Sequence, residues 1–245
     1  IIEVCVAKII RYGYNSQADF RILDHSVNRE GVELSLETPY GLRTLQVNTV
    51  GSFNYYNFLA AYAAAVELEC DIDKVDESAA SLPSVPGRLE KMENEAPFTV
   101  FVDYAHTPDA METTLQTLAE TYPDQNLISV FGCGGDRDQG KRPLMGEIAT
   151  RLSTQTIITD DNPRMETPME IIDAIEAGCQ DRSNYEVIQD RGVAVTTALQ
   201  SAEQGDIVAI LGKGHEPYQE IRGERKPYSD MNIVNKYMEQ HGYSA

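Results

Sequence analysis

Four short segments carry more charged and polar side chains than a turn requires, and their residue types point to the binding of a small charged molecule. Asp103-Tyr104-Ala105-His106-Thr107-Pro108 sets a carboxylate three residues ahead of an imidazole. Gly132-Cys133-Gly134-Gly135-Asp136-Arg137-Asp138-Gln139-Gly140-Lys141-Arg142 mixes glycines with cations, which suits a carboxylate or a phosphoryl group. It includes the spacing Gly135-x4-Gly140-Lys141, but Arg142 stands where a P-loop needs Ser or Thr for magnesium, and Asp136 and Asp138 would repel a polyphosphate. Asp160-Asp161-Asn162-Pro163-Arg164 offers a guanidinium fork matched to a carboxylate, on a backbone that Pro163 stiffens and that keeps Asn162 extended. Gly212-Lys213-Gly214-His215-Glu216 could nest an anion on its amides, with Lys213 adding charge and Glu216 available to an ammonium. Each segment also has a plain reading as a charged turn. His106 has no recognisable nucleophile for company and reads as a structural imidazole that orders the start of a helix.

The elements around these segments follow from hydrophobic period. Residues 99–103, 127–131, 156–159, 185–188 and 206–211 read as strands, four of them followed by the polar loops above. Helices lie between them. Thr107-Pro108 is a cap residue followed by proline at the first helical position, with Met111, Leu115 and Leu118 facing inward. Thr167-x-x-Glu170 reads as a capping box with Pro168 at the first helical position, for a helix ending near Gly178. A last amphipathic helix uses Ile233, Val234, Tyr237 and Met238. Strands alternating with helices predict parallel β-α-β units in a doubly wound α/β sheet, whose ligands bind outside the carboxyl ends of the strands. All four polar loops would then project to one rim.

The first part of the chain has a different pattern. Val32, Leu34 and Leu36 alternate with polar neighbours, flanked by the turns Asn28-Arg29-Glu30-Gly31 and Thr38-Pro39-Tyr40-Gly41, which predicts an antiparallel meander. An alanine-rich helix over 57–69 follows, with Phe58, Leu59, Tyr62, Ala63 and Val66 on one face. Asn54 reads as its cap, and Asn57, a poor helix former one turn later, as a candidate for function. Ser81-Leu82-Pro83-Ser84-Val85-Pro86-Gly87 breaks every period and reads as an inter-domain linker. The chain opens without Met inside a strand-like run over 1–10, which reads as a fragment or a processed product.

The length of 245 residues fits one large domain or two smaller ones, and 42% hydrophobic with 24% charged residues is globular composition. A net charge of −19 argues against nucleic acid or an anionic membrane as the main partner. No apolar run is long enough for membrane insertion and no leader pattern is present, so a cytoplasmic protein is expected; a monomer is expected as well. Cys5, Cys70, Cys133 and Cys179 form no C-x-x-C pair, and no metal site or disulfide framework is expected.

Six motifs in order complete the reading. Gly51-x-Phe53-Asn54-x-x-Asn57, Pro86-Gly87-Arg88-Leu89-Glu90 and the four polar loops together resemble the Mur ligases, along nearly the whole chain. The motifs are most similar to those of the members that add diaminopimelate as the third residue of the peptidoglycan stem peptide. The resemblance implies that residues 1–87 are the C-terminal part of a P-loop-type central ATPase domain, seen as antiparallel strands plus a helix. Residues 88–245 would be the Rossmann-like C-terminal ligase domain, a mostly parallel sheet with helices on both faces. The family's UDP-binding domain would be missing, as would the P-loop, the magnesium-binding His and Glu and the carbamylated Lys. The resemblance further implies that Asn54, Asn57, Arg88 and Asp103 serve ATP, with Arg88 and Asp103 catalytic at the hinge. It assigns Arg137, Asp161, Asn162, Arg164, Gly212 and Glu216 to meso-diaminopimelate, and implies UDP-MurNAc-L-Ala-D-Glu, ATP and Mg2+ as the other reactants. A ligase selecting L-lysine, a folylpolyglutamate or cyanophycin synthetase, and an amino-acid-binding module without catalysis stay open as rivals.

Overall fold

Val32, Leu34 and Leu36 sit on one side of a strand whose other side is polar, and this alternation seats the first of two compact units, Ile1–Ser84 and Val85–Ala245. The structure is a computed structural model that describes residues 6–28 and 31–243. In the first unit, β1 (Tyr12–Gly13), β2 (Phe20–Asn28), β3 (Gly31–Thr38) and β4 (Gly41–Val47) form a sheet in sequence order, antiparallel except for β1 beside β2. The meander is as predicted, although Arg29 and Glu30 of its first turn and residues 1–5 of the strand-like run lie outside the described residues. Residues 6–10 form no strand. α1 (Ser52–Glu67) lays Tyr55, Phe58, Leu59, Tyr62, Ala63 and Val66 on the Val32, Leu34 and Leu36 face. A second helix, α2 (Ile72–Ala79), was not foreseen; Asp71 caps it by accepting from the amides of Asp73 and Lys74.

The second unit is the doubly wound sheet. Its strands are β5 (Glu90–Lys91), β6 (Thr99–Asp103), β7 (Leu127–Phe131), β8 (Gln155–Ile158), β9 (Tyr185–Val187) and β10 (Ile207–Leu211), in the order β5-β6-β10-β7-β8-β9. β6 to β10 are parallel and β5 is an antiparallel edge. Every residue of β7 and β10 is buried, as a strand covered on both faces requires. α6 (Arg191–Ser201) and α7 (Asp230–His241) cover Val100, Val102, Ile128, Val130, Val208 and Ile210 on one face. α3 (Pro108–Thr121), α4 (Lys141–Leu152) and α5 (Pro168–Glu176) pack side by side, with α3 against β10 and α4 against β8.

Thr107 caps α3 through its hydroxyl, and Met111, Leu115 and Leu118 are buried as predicted. The capping box on α5 is corrected. Pro168 does open the helix, but the Thr167 side chain makes no cap bond, and the Glu170 amide goes to the Thr167 carbonyl instead. A hairpin of β11 (Tyr218–Ile221) and β12 (Glu224–Pro227) was also not foreseen. Its Arg222-Gly223 turn has both residues at positive φ, and its short, mostly polar strands are uniformly half-buried in β11 and exposed in β12, so no alternation announces them.

Candidate functional site

The four predicted loops follow β6, β7, β8 and β10 and meet around a cavity of about 470 Å3 at the carboxyl edge of the sheet. Tyr104 and His106 line it from the first loop, Arg137, Asp138 and Lys141 from the second, Asp161, Asn162 and Arg164 from the third, and Gly212 and Glu216 from the fourth. All six residues expected to hold an amino acid are therefore brought together. The cavity joins two guanidinium groups and an ammonium to three carboxylates, a set suited to a ligand that carries both signs of charge.

The last strand's loop works inward as well as outward. The Lys213 side chain is wholly buried, and its Nζ donates to Asn162 Oδ1 and Glu216 Oε2, each at 3.0 Å. Asn162 Nδ2 donates to the same Glu216 oxygen at 3.0 Å, and Asn162 Oδ1 also accepts from the Glu220 amide at 2.8 Å. A buried ammonium needs a carboxylate, so Lys213 is matched within the chain and adds no charge for an anion; that expectation is corrected. The positive φ of Gly212 is matched by space, since a Cβ there would stand 2.9 Å from Asp161 Oδ2.

Arg164 has a left-handed backbone, φ 52°, and is held on three sides. Its amide donates to the Glu220 carbonyl, its carbonyl accepts from the Arg222 amide, and its Nη1 donates to the Gly135 carbonyl at 2.7 Å. Its Nε lies 3.7 Å from Glu220 Oε2. The unforeseen hairpin is thus what secures this loop, and Gln219 Nε2 adds a bond to the Asp161 carbonyl at 2.8 Å. Arg137 is exposed, with Nη1 donating to the Asp136 carbonyl at 2.9 Å. Lys141 Nζ donates to the His106 carbonyl at 2.6 Å. Arg142, expected among the anion-binding cations, is turned away: its side chain is 3% exposed and paired with Glu166.

Asp103 and Arg88 are not among the cavity-lining residues. Asp103 is buried, with Oδ2 accepting from the Leu89 amide and Oδ1 from the Ala105 amide and the Thr114 hydroxyl. Burial raises its carboxyl above the ordinary range, against the pull of those donors and of Arg88. The exposed Arg88 holds its guanidinium 5.4 Å above the Tyr104 ring. The His106 ring is tied through Nδ1 to the Tyr104 carbonyl at 2.8 Å, in keeping with an imidazole that orders its own loop. In the other unit, the reading of Asn54 as a helix cap is corrected: Gly51 is the N-cap of α1, and Asn54, within its first turn, donates Nδ2 to the Val50 carbonyl at 2.9 Å, while Asn57 is exposed. Sequence reasoning missed Tyr104, Glu166 and Glu220. Of these, only Glu166 could have been found, as an acid two residues beyond Arg164.

Asp160, at the start of the third loop, is pushed up to about 6 by burial first and then by Asp190 and Asp161, against Gln189 and Arg191. Its ordinary value is near 4, so the unfolded chain ionises first as pH rises, and stability falls between about pH 4 and 6 and stays lower above. Asp160→Asn should therefore melt higher than wild type at pH 8 and alike at pH 4. Equal melting curves at both values would refute the assignment. Among the described residues, no group of three or more His, Cys, Asp or Glu could hold a metal ion, and no helix is long and apolar enough to cross a membrane.

Comparison with known proteins agrees with this arrangement. Residues 87–214 match the family model of the Mur ligase glutamate ligase domain. A UDP-N-acetylmuramoyl-L-alanyl-D-glutamate–2,6-diaminopimelate ligase of Halalkalibacterium halodurans is 38% identical over 97% of this chain and 49% of its own length. The ligase of the same name from Listeria monocytogenes is 41% identical over 93% of this chain and 46% of its own length. A solved structure of a ligase of that name aligns with a TM-score of 0.72 at 36% identity, covering 97% of this chain and 49% of that one. The chain spans about half the length of the curated relatives it matches. With the matched segment covering every cavity-lining residue except Glu216, the chain belongs to the Mur ligase family.

Proposed function

We propose that this chain is the amino-acid-binding part of an ATP-dependent ligase that joins meso-diaminopimelate to UDP-MurNAc-L-Ala-D-Glu in peptidoglycan synthesis. The observation that carries the reading is the mixed charge of one cavity, with Arg137, Lys141 and Arg164 facing it beside Asp138, Asp161 and Glu216. Diaminopimelate has two carboxylates and two ammonium groups, so it needs partners of both signs. Arg164 takes the carboxylate that lysine lacks, and Glu216 and Asp161 take ammonium groups. Arg137 meets the other carboxylate, while Asn162 and Gly212 shape the floor.

Bound ATP would supply the activation of the D-glutamate carboxylate as an acyl phosphate with release of ADP, and attack by the diaminopimelate amine would form the amide as inorganic phosphate leaves. This chain's part is to orient that amine and to neutralise charge around it, a contribution of position rather than of a nucleophile. Asn54, Asn57 and Arg88 are assigned to the nucleotide. Asp103 assists by anchoring Leu89, the neighbour of Arg88. The described acids and histidines offer no set for Mg2+, so no step on this chain is assigned to the metal. A monomeric cytoplasmic enzyme is the matching setting.

Titration calorimetry on the 245-residue chain tests the reading. One equivalent of meso-diaminopimelate should bind, with L-lysine weaker. Equal binding of the two would favour a lysine ligase, and binding of neither would overturn the proposal.

A further inference from the structure

One carboxylate outside the residues assigned above is the meeting point of two site loops. Glu166 accepts from Arg142 Nη2 on both oxygens, at 2.8 and 2.9 Å. Its Oε1 also accepts from the Asp136 amide at 2.5 Å, and its Oε2 from Gln139 Nε2 at 3.5 Å. Asp136 returns the link, its Oδ2 accepting from the Met165 amide at 3.2 Å. The Gly135 amide donates to the Asn162 carbonyl at 2.9 Å, while the Gly135 carbonyl takes Arg164 Nη1. A Cβ at Gly135 would stand 2.0 Å from the Pro163 carbonyl oxygen, so the two loops run in backbone contact.

Two features distinguish this arrangement from an incidental ion pair. First, Asp136 and Arg164, the residues on either side of the link, both have left-handed backbones, φ 53° and 52°. A side-chain-bearing residue holds that conformation only where its surroundings over-determine it. Second, Arg142 is buried with its Nε lacking a hydrogen-bond partner, an arrangement poorly suited to stability alone. What the pair does fix is geometry. Arg142 rides on the first turn of α4, a rigid support, and the loops it joins bear Arg137 and Arg164.

We infer that the Arg142–Glu166 pair is the positioning clasp of the amino-acid site, setting the separation and aim of the Arg137 and Arg164 guanidinium groups. The ligand named in the test rests on the proposed function, but the clasp itself does not. Arg142 holds the Glu166 carboxyl below the ordinary range, so the clasp stays charged throughout neutral and mildly acidic pH.

The test uses the 245-residue chain with Glu166→Gln, and with Arg142→Lys, which keeps the charge but loses the planar fork. Amide exchange read by NMR without ligand should quicken at least tenfold at Asp136 and Met165 in both variants, with Val130 and Ile210 in the sheet unchanged. Calorimetry should then show meso-diaminopimelate binding weakened at least tenfold. In the whole ligase, KM for the amino acid should rise while KM for ATP holds. Unchanged exchange at Asp136 and Met165 overturns the clasp, as does unchanged binding in variants whose loops have loosened. Loss of the folded sheet in both variants would make the pair a stability element and overturn it equally. If wild type binds no diaminopimelate yet the loops loosen as expected, the functional reading fails and the clasp stands.

Discussion

Arg191→Ala should cost the second unit about 3–5 kcal/mol, the largest single loss of stability foreseen, because it strands a buried carboxylate. Arg191 and Asp230 have wholly buried side chains and pair in two parallel bonds, Nε to Oδ1 at 2.9 Å and Nη2 to Oδ2 at 2.8 Å. Burial works against the guanidinium charge, and Asp230 overrides it, so the arginine stays protonated at any accessible pH. Two more donors go to carbonyls, Nη2 to Leu211 at 2.9 Å and Nη1 to Asp160 at 3.3 Å. Tyr228 gives Asp230 Oδ1 a further bond at 2.8 Å. One side chain thus joins α6 and α7 to the end of β10, immediately before the loop that carries Gly212, and to Asp160 at the start of the loop that carries Asp161. Urea unfolding followed by circular dichroism measures the loss. Arg191→Leu with Asp230→Leu should recover most of it, since two apolar residues leave no charge unmatched. A single variant within 1 kcal/mol of wild type would mean that water reaches the carboxylate, and the account of a sealed pair would fall.

That pair was invisible in the sequence, and the reason separates what was legible from what was not. Residues 99–103 and 127–131 were read to the residue, because a strand covered on both faces is a nearly continuous apolar run between polar loops. The rim on which the four loops meet followed from the same reading, since parallel strands place all their carboxyl ends together. The hairpin from Tyr218 to Pro227 left no such trace, as its strands bury little and draw their order from bonds to Asp161, Asn162 and Arg164. The aim of each charge was equally hidden. Lys213 and Arg142 looked like ligand cations beside Arg137 and Arg164, yet both point inward. Their partners are Glu216, three residues on, and Glu166, twenty-four residues on in another loop. Residue type tells which charges a site has, and only the fold tells which of them are already matched.

Arg164→Ala should weaken meso-diaminopimelate binding by at least tenfold while leaving the weaker binding of L-lysine nearly unchanged or slightly improved. The two amino acids differ at the far end by one carboxylate, and Arg164 is the guanidinium assigned to it. A charge-assisted bond in a mostly desolvated site contributes about 1.5–3 kcal/mol, or roughly one to two decades in affinity. Two contacts argue for the lower end of that range. Nη1 already donates to the Gly135 carbonyl, and Nε faces Glu220 at 3.7 Å, so the guanidinium is partly neutralised before any ligand arrives. For the same reason lysine loses less than it would against a wholly unmatched arginine. Glu220→Gln should therefore move discrimination the other way, strengthening diaminopimelate binding and widening its margin over lysine. Calorimetry with both amino acids on wild type and the two variants reads all three quantities. An equal loss for both ligands in Arg164→Ala would reduce that residue to a support for its loop. A Glu220→Gln variant that weakens diaminopimelate would show that the acid aims the guanidinium more than it tempers its charge.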